Sequence, residues 1–347
     1  MAIHSKEGPI ALWTGAVLLL LAFGLCSCAK SPQRPDYALV LHGGAGTILK
    51  KNMDAATETA YRDKLTEALK TGEGILKNGG DSLDAVQAVI EVLEDSPLFN
   101  AGRGAVFTAE GKNEMDASIM DGRTLNAGAV AGVTTIKHPI AAARAVMTQS
   151  KHVLLSGKGA ESFAAEHGLG MEPPEYFWTQ RRWDALQKMK AKSDSESPKE
   201  AKEHGTVGCV ALDKKGNIAA GTSTGGLTGK LWGRIGDSPI IGAGTYASNE
   251  SCGVSCTGQG EYFIRNVVAY DLAARMKYRG MSLKDAAESI IDKELVEQHA
   301  EGGLVALDKD GNIAMVFNTP GMYRGFVKSS GELVVKFYGD EGEGAQQ

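Results

Sequence analysis

The chain has 347 residues, a formal charge of −5, 43% hydrophobic residues and five cysteines. That length and apolar content support a sizeable core in one large domain or two modest ones and exclude wholesale disorder. The mildly acidic balance, with no basic face in the pattern, excludes nucleic acid as the expected partner. Glycine is the outlier, at 44 residues against a typical share of about 7%. No Gly-X-Y period accompanies it, so collagen is excluded and tight turns and close backbone approaches are expected.

In chain order, the first feature is the apolar run Ile10–Leu25, shorter than a membrane span of about 20 residues and closer to a secretory core segment. Leu25-Cys26-Ser27-Cys28 resembles the lipobox of bacterial lipoproteins. That resemblance implies a signal peptide over residues 1–27 and acylation of Cys28. It also implies a tether over 28–36 and export as a membrane lipoprotein facing the periplasm or cell exterior. Tyr37–His42 predicts a buried strand running into the glycine turn Gly43-Gly44-Ala45-Gly46. Met53–Lys77 has a helical stripe stopped by Gly79-Gly80, and Ser82 reads as the N-cap of a second helix ended by Asp95-Ser96-Pro97. Asn113–Met120 and Ala127–Thr135 read as strands around the turn Asp121-Gly122. Pro139–Val146 reads as a helix and His152–Leu155 as a strand.

The charged stretch Gln187–Glu203 reads as a mobile linker, with a solvated helix face as the alternative. Thr206–Leu212 and Ile218–Thr222 form a hairpin around Asp213–Asn217, and VALDKKGNIA at 210–219 is nearly repeated as VALDKDGNIA at 305–314. The two copies suggest similar hairpins in one sheet. Helices are expected over Glu261–Arg279 and Ser282–Lys293, which makes the architecture α+β, with sheets between helix layers. Beyond the N-terminal segment stand Cys209, Cys252 and Cys256. Cys209 reads as a buried strand residue; a Cys252–Cys256 bridge stays open.

Two nucleophiles compete. Gly221-Thr222-Ser223-Thr224-Gly225 matches the G-x-S-x-G elbow of serine esterases. An elbow must join a strand to a helix, however, and Gly226-Leu227-Thr228-Gly229 does not start one. The other is Thr206, directly after Gly205 and opening an apolar strand. A threonine hydroxyl needs a base. A cut between Gly205 and Thr206 would supply the freed α-amine, whose ordinary pKa near 8 leaves it partly neutral at pH 7. On composition alone, Gly-Thr reads as a plain strand start.

Longer motifs decide between them. HGTVGCVALDKKGNIAAGTSTGG (204–226), GRIGDSPIIGAGTYA (233–247), SCTGQGEYFIR (255–265), LVLHGGAG (39–46), FNAGRGAVFTAEGKNEMDASIMDG (99–122) and NAGAVAGV (126–133) closely resemble plant-type asparaginases. These are the isoaspartyl peptidase/L-asparaginase family of N-terminal-nucleophile hydrolases, and the likeness spans Tyr37–Phe326. It implies an αββα sandwich and a precursor cut at Gly205–Thr206 into an α-chain (28–205) and a β-chain (206–347) that fold as one domain over 37–347. Thr206 would be the nucleophile, tuned by Thr224. Thr257 and Asn100 would donate to the oxyanion. Arg234 and Asp237 would clamp the substrate α-carboxylate and α-ammonium, with Gly258 and Gly260 giving close backbone approach.

The backbone carbonyls of Leu93, Glu94, Ser96, Phe99, Ala101 and Arg103 would hold a structural Na⁺, and catalysis would need no cofactor. The expected substrate is a small β-aspartyl compound, either a dipeptide or L-asparagine, and the expected assembly is a dimer of αβ heterodimers. Two alternatives are a glycosylasparaginase, which typically has Asn where Gly225 stands, and an amino-acid- or peptide-binding lipoprotein without turnover.

Overall fold

The computed structural model describes residues 1, 8, 34–193 and 203–341. The apolar run Ile10–Leu25, the tether up to residue 33 and Cys28 therefore lie outside the described residues. Among the described residues, no helix is long and apolar enough to cross a membrane.

The strands in chain order are β1 (Ala38–Gly46), β2 (Met115–Asp121), β3 (Ala127–Val133), β4 (Leu154–Ser156), β5 (Glu203–His204), β6 (Val207–Leu212), β7 (Ile218–Thr224), β8 (Thr245–Ala247), β9 (Cys252–Gly258), β10 (Gly302–Asp308), β11 (Ile313–Phe317), β12 (Gly321–Lys328) and β13 (Leu333–Tyr338). The larger sheet runs β13-β12-β1-β6-β7-β2-β3-β4, with β5 also on β1; the smaller runs β11-β10-β9-β8. Every pairing is antiparallel except β3 with β4.

Strand alternation sorts the side chains into three cores. Leu39, Leu41, Val207 and Cys209 face outward from the larger sheet. They meet α1 (Ala55–Lys77), α2 (Ser82–Glu94) and α3 (Pro139–Gln149) through Leu65, Leu69, Val86, Ile90 and Ile140. Their neighbours Val40, Val210 and Leu212 face inward and join Val305, Leu307 and Met322 between the two sheets. Cys252, Val254 and Cys256 face the opposite helix layer, with Phe263, Leu272, Ile290 and Leu295. The result is the expected αββα sandwich.

Several expectations change. α1 is capped by Asp54, which accepts from Thr57 N at 2.8 Å. Ser82 is the first helical residue of α2, after Asp81 at the cap. α4 (Gly157–Glu166) follows β4, and α5 (Gln180–Ser193) takes the first part of the stretch read as a linker. Glu203–His204 are strand, and 194–202 lie outside the described residues. The helix expected over Glu261–Arg279 divides into α6 (Gly260–Asn266) and α7 (Val268–Arg279) at Val267, which is left-handed at φ 49°. α8 (Leu283–Glu288) runs on into a wide π turn, Ser289–Glu294.

The two similar hairpins lie in different sheets, β6–β7 in the larger and β10–β11 in the smaller. Their likeness is turn chemistry. Asp213 Oδ1 accepts from Lys215 N and Asn217 N, and Asp308 Oδ1 accepts from Asp310 N and Asn312 N, each at 2.9 Å. The cysteine question closes too, because Cys252 and Cys256 are free and buried. Four residues along one strand separate them by about 13 Å, beyond disulfide reach.

Candidate active site

The Gly205–Thr206 bond sits at a break in a strand. One edge of β1 pairs with β12, so β5 and β6 share the other. Ladder pairing runs His42 with Gly208 and resumes at Ala45 with His204. Between those pairs, residues 205–207 oppose only Gly43 and Gly44. The β5–β6 side therefore carries one residue too many, as in a bulge. Thr206 is left one residue outside β6, and its carbonyl is held by a side chain, His42 Nδ1, at 3.0 Å. Across the bond, Gly205 O accepts from Asn100 N at 3.0 Å. A Cβ on Gly205 would press 2.7 Å from Asn100 Cβ, so only glycine fits here.

Thr206 is buried, and its Oγ1 lies 2.9 Å from Thr224 Oγ1. Gly226 N donates to Thr224 Oγ1 at 2.9 Å. The facing strand supplies a further hydroxyl. Ser255 reaches Thr222 Oγ1 at 2.6 Å, and a Cβ on Gly253 would lie 2.5 Å from Val210 Cγ1. Inward-facing positions alternate by two. Thr257 of β9 is therefore the next rung, level with Thr206 and Thr224. Its Oγ1 is buried without a partner.

The Arg234 guanidinium lies beside this row. A Cβ on Gly260 would sit 2.8 Å from Arg234 Nη2 and 2.9 Å from Asp237 N, and one on Gly226 would sit 3.6 Å from Arg234 Nη1. Glu261 already holds one edge of Arg234, with Nε at 2.8 Å and Nη2 at 3.0 Å. Asp237 is buried, and its Oδ2 has no partner. Burial pushes its carboxyl up to about 7, against the pull of Arg234. An unpaired carboxylate beside a guanidinium suits a small zwitterion.

The expected residues thus converge, with one shift of role. The Asn100 side chain is a strut: Oδ1 accepts from Val106 N at 2.9 Å and Nδ2 donates to Gly226 O at 2.7 Å. Ser223, centre of the esterase-like match, faces the helix layer and donates to Glu94 Oε1 at 2.6 Å. It cannot share a site with Thr222 and Thr224, which point the opposite way.

Sequence reasoning missed three buried groups. Asp116 pairs in register with Thr224, accepts from Gly132 N at 2.8 Å, leaves Oδ2 unpartnered and is raised by burial. Lys230 donates to Glu114 O at 2.9 Å and is lowered by burial. A Cβ on Gly226 would lie 3.2 Å from its Nζ. The third is His42, which in the sequence marks only the end of the strand Tyr37–His42 before its glycine turn. A charged residue between apolar or glycine neighbours was the available signal for the first two.

A self-positioned threonine at a strand break inside an αββα sandwich defines the class of the N-terminal-nucleophile hydrolases. Residues 35–335 match the family model described as "Asparaginase", and the chain belongs to that family. Among similar proteins is the isoaspartyl peptidase of Salmonella typhimurium, 49% identical over 82% of this chain and 93% of that protein. The isoaspartyl peptidase of Escherichia coli K12 is 46% identical over 88% and 97%. The plant-type L-asparaginase of Pyrococcus abyssi is 43% identical over 84% and 96%.

These findings correct the reading of Cys28. The relatives the chain matches are named as peptidases and asparaginases, and among the described residues no helix is long and apolar enough to cross a membrane. The signal peptide, the lipid anchor, the membrane partner, the exported location and the binding-lipoprotein alternative are accordingly withdrawn.

Proposed function

We propose that the protein is an isoaspartyl peptidase/L-asparaginase that first cuts itself between Gly205 and Thr206. It then removes β-aspartyl residues from dipeptides and hydrolyses L-asparagine. The observation that carries this is the pair Thr206 Oγ1–Thr224 Oγ1 at 2.9 Å, beside a Gly205 carbonyl already held by Asn100 N.

In self-cleavage, Thr206 Oγ1 adds to the Gly205 carbonyl carbon. The oxygen that becomes negative is the one Asn100 N–H already contacts. Collapse breaks the Gly205–Thr206 C–N bond as the hydroxyl proton passes to the departing nitrogen, leaving an ester on Thr206 and a free α-amine. Water then hydrolyses the ester to a Gly205 carboxylate. In turnover the α-amine takes the Thr206 hydroxyl proton as the oxygen attacks the β-carbonyl of the substrate. The amine returns that proton to the departing nitrogen, and water releases aspartate from the acyl ester. Thr257 Oγ1 donates to the oxyanion, for which its unpartnered state is the support. Arg234 takes the α-carboxylate and Asp237 the α-ammonium; Gly260 keeps that side open, while Gly258, where a Cβ would lie 2.6 Å from Phe263 Cε2, gives the backbone its close approach.

For the loop at the end of α2, the proposed resident is Na⁺. A Cβ on Gly102 would collide with Glu94 O, and one on Gly104 with Phe99 O. Hard carbonyl oxygens thus crowd a glycine-lined turn, the donor type Na⁺ takes. Leu93, Ser96, Ala101 and Arg103 carbonyls complete the proposed set. At Gly225 a Cβ would lie 2.5 Å from Asn100 Oδ1, so the Asn typical of glycosylasparaginases has no room. Thr206→Ala tests the reading: the chain should stay intact and inert toward β-aspartyl dipeptides, and a variant that still processed would refute it.

A further inference from the structure

Between the two sheets runs a line of buried polar side chains that the reaction above does not use. His42, Ser118, Thr222, Thr245 and Ser255 are all fully buried. They come from β1, β2, β7, β8 and β9, so every link but the one to Thr206 O joins side chains of two strands. Thr245 Oγ1 lies 2.6 Å from Thr222 Oγ1, Thr222 Oγ1 2.6 Å from Ser255 Oγ, Ser255 Oγ 2.9 Å from His42 Nε2, and His42 Nδ1 3.0 Å from Thr206 O. Ser118 Oγ adds a link to Thr245 Oγ1 at 2.8 Å.

The chain has a single direction. Thr206 O is a carbonyl and only accepts, so Nδ1 must carry the proton. Burial lowers the imidazole to about 3, which keeps it neutral and makes Nε2 an acceptor. Ser255 must then spend its only proton on Nε2 and accept from Thr222. Thr222 in turn accepts from Thr245, and two backbone carbonyls flank the line, Gly244 O at 3.1 Å from Thr222 Oγ1 and Ser238 O at 2.6 Å from Ser118 Oγ. A side chain at position 208 would block the passage, since a Cβ there would collide with Ser255 Oγ and His42 Nε2.

We propose that this one-way chain is the positioning device of the nucleophile, with His42 and Ser255 as positioning residues that hold the Thr206 carbonyl where no ladder bond does. Fixing that carbonyl fixes the peptide plane after Thr206, and with it the direction of the α-amine and Oγ1. The inference rests on Thr206 being the nucleophile. Removing Ser255 Oγ leaves Nε2 without its donor and the buried ring without its second anchor, so Nδ1 is no longer held in line with the Thr206 carbonyl. Breaks farther from His42 leave the Ser255–His42 anchor in place and should matter less.

The experiment measures self-cleavage rate, kcat and KM for L-asparagine, and melting temperature in Ser255→Ala, Thr222→Val and Thr222→Ser. Ser255→Ala should slow self-cleavage and lower kcat by about tenfold or more, as expected for a displaced reacting atom, with KM unchanged because Arg234 and Asp237 are untouched. Thr222→Val should lose less, and Thr222→Ser, which keeps the hydroxyl, should restore the native rate. Where Ser255→Ala does not fold, the Thr222 pair decides alone. Equal rates in Thr222→Val and Thr222→Ser, or a change in melting temperature or KM without a change in kcat, would overturn the proposal. Activity surviving Thr206→Ala would refute the nucleophile assignment instead, so the two failures are distinct.

Discussion

Asp237 and Arg234 show what single residues can and cannot declare. Their spacing in GRIGDSP was visible, but not that Asp237 would be left with a buried, unpaired oxygen raised to about 7. To take a substrate ammonium the carboxyl must be ionised. Hence kcat/KM should rise as pH climbs through about 7 and level off only once the α-amine, with its ordinary value near 8, is also neutral; Asp237→Asn should lose the lower limb with most of the activity. The same shift has a stability sign. The folded-state value lies above the unfolded one near 3.9, so the contribution is complete below pH 4 and is lost as pH rises through 7. Asp237→Asn should therefore melt higher than the parent at pH 8, with a smaller gap at pH 5. Arg234→Lys keeps the charge but loses the planar fork. KM should rise by roughly 10- to 100-fold, the worth of one charge-assisted hydrogen bond, and an unchanged KM would remove Arg234 from the clamp. His42, Asp116 and Lys230 were not legible as site residues, because their partners lie on other strands; His42 and Ser255 are 213 residues apart.

At the scale of elements, glycine marks the places where two chains must touch. β6 approaches β9 so closely that Gly208 leaves no space for a methyl group. Gly208→Ala should cost about 1–3 kcal/mol and slow self-cleavage, read as a lower melting temperature and a persistent intact chain. The turn after α2 makes a separate prediction. If its carbonyls hold Na⁺, replacing NaCl by choline chloride at equal ionic strength should lower the melting temperature, and NaCl should restore it. Equal stability in the two salts would argue against the ion. Amphipathic α1 and α2 and the hairpins were legible because their signals are local: a stripe, a stop, an aspartate turn. α4 and α5 were not, since each shows a weak stripe among charged residues. The sheet that each hairpin joins was also hidden, because identical turns serve both.

For the whole molecule, the composition's glycine excess and the ordered motifs gave the family, and alternation along each strand is consistent with three stacked cores. The layer order itself follows from pairings across long separations, β1 with β12 above all, which no local pattern encodes. The consequence is local: β1 carries His42, β6 follows the break, β7 and β9 face one another, and only their assembly puts Thr206, Thr224 and the Arg234–Asp237 pair in one place. That Thr206 becomes an N-terminal residue is the central claim. The direct measurement is the N-terminal sequence of the smaller fragment of purified protein. The account predicts that it begins Thr-Val-Gly-Cys, residues 206–209. A fragment starting elsewhere, or an intact chain that still hydrolyses β-aspartyl dipeptides, would contradict it.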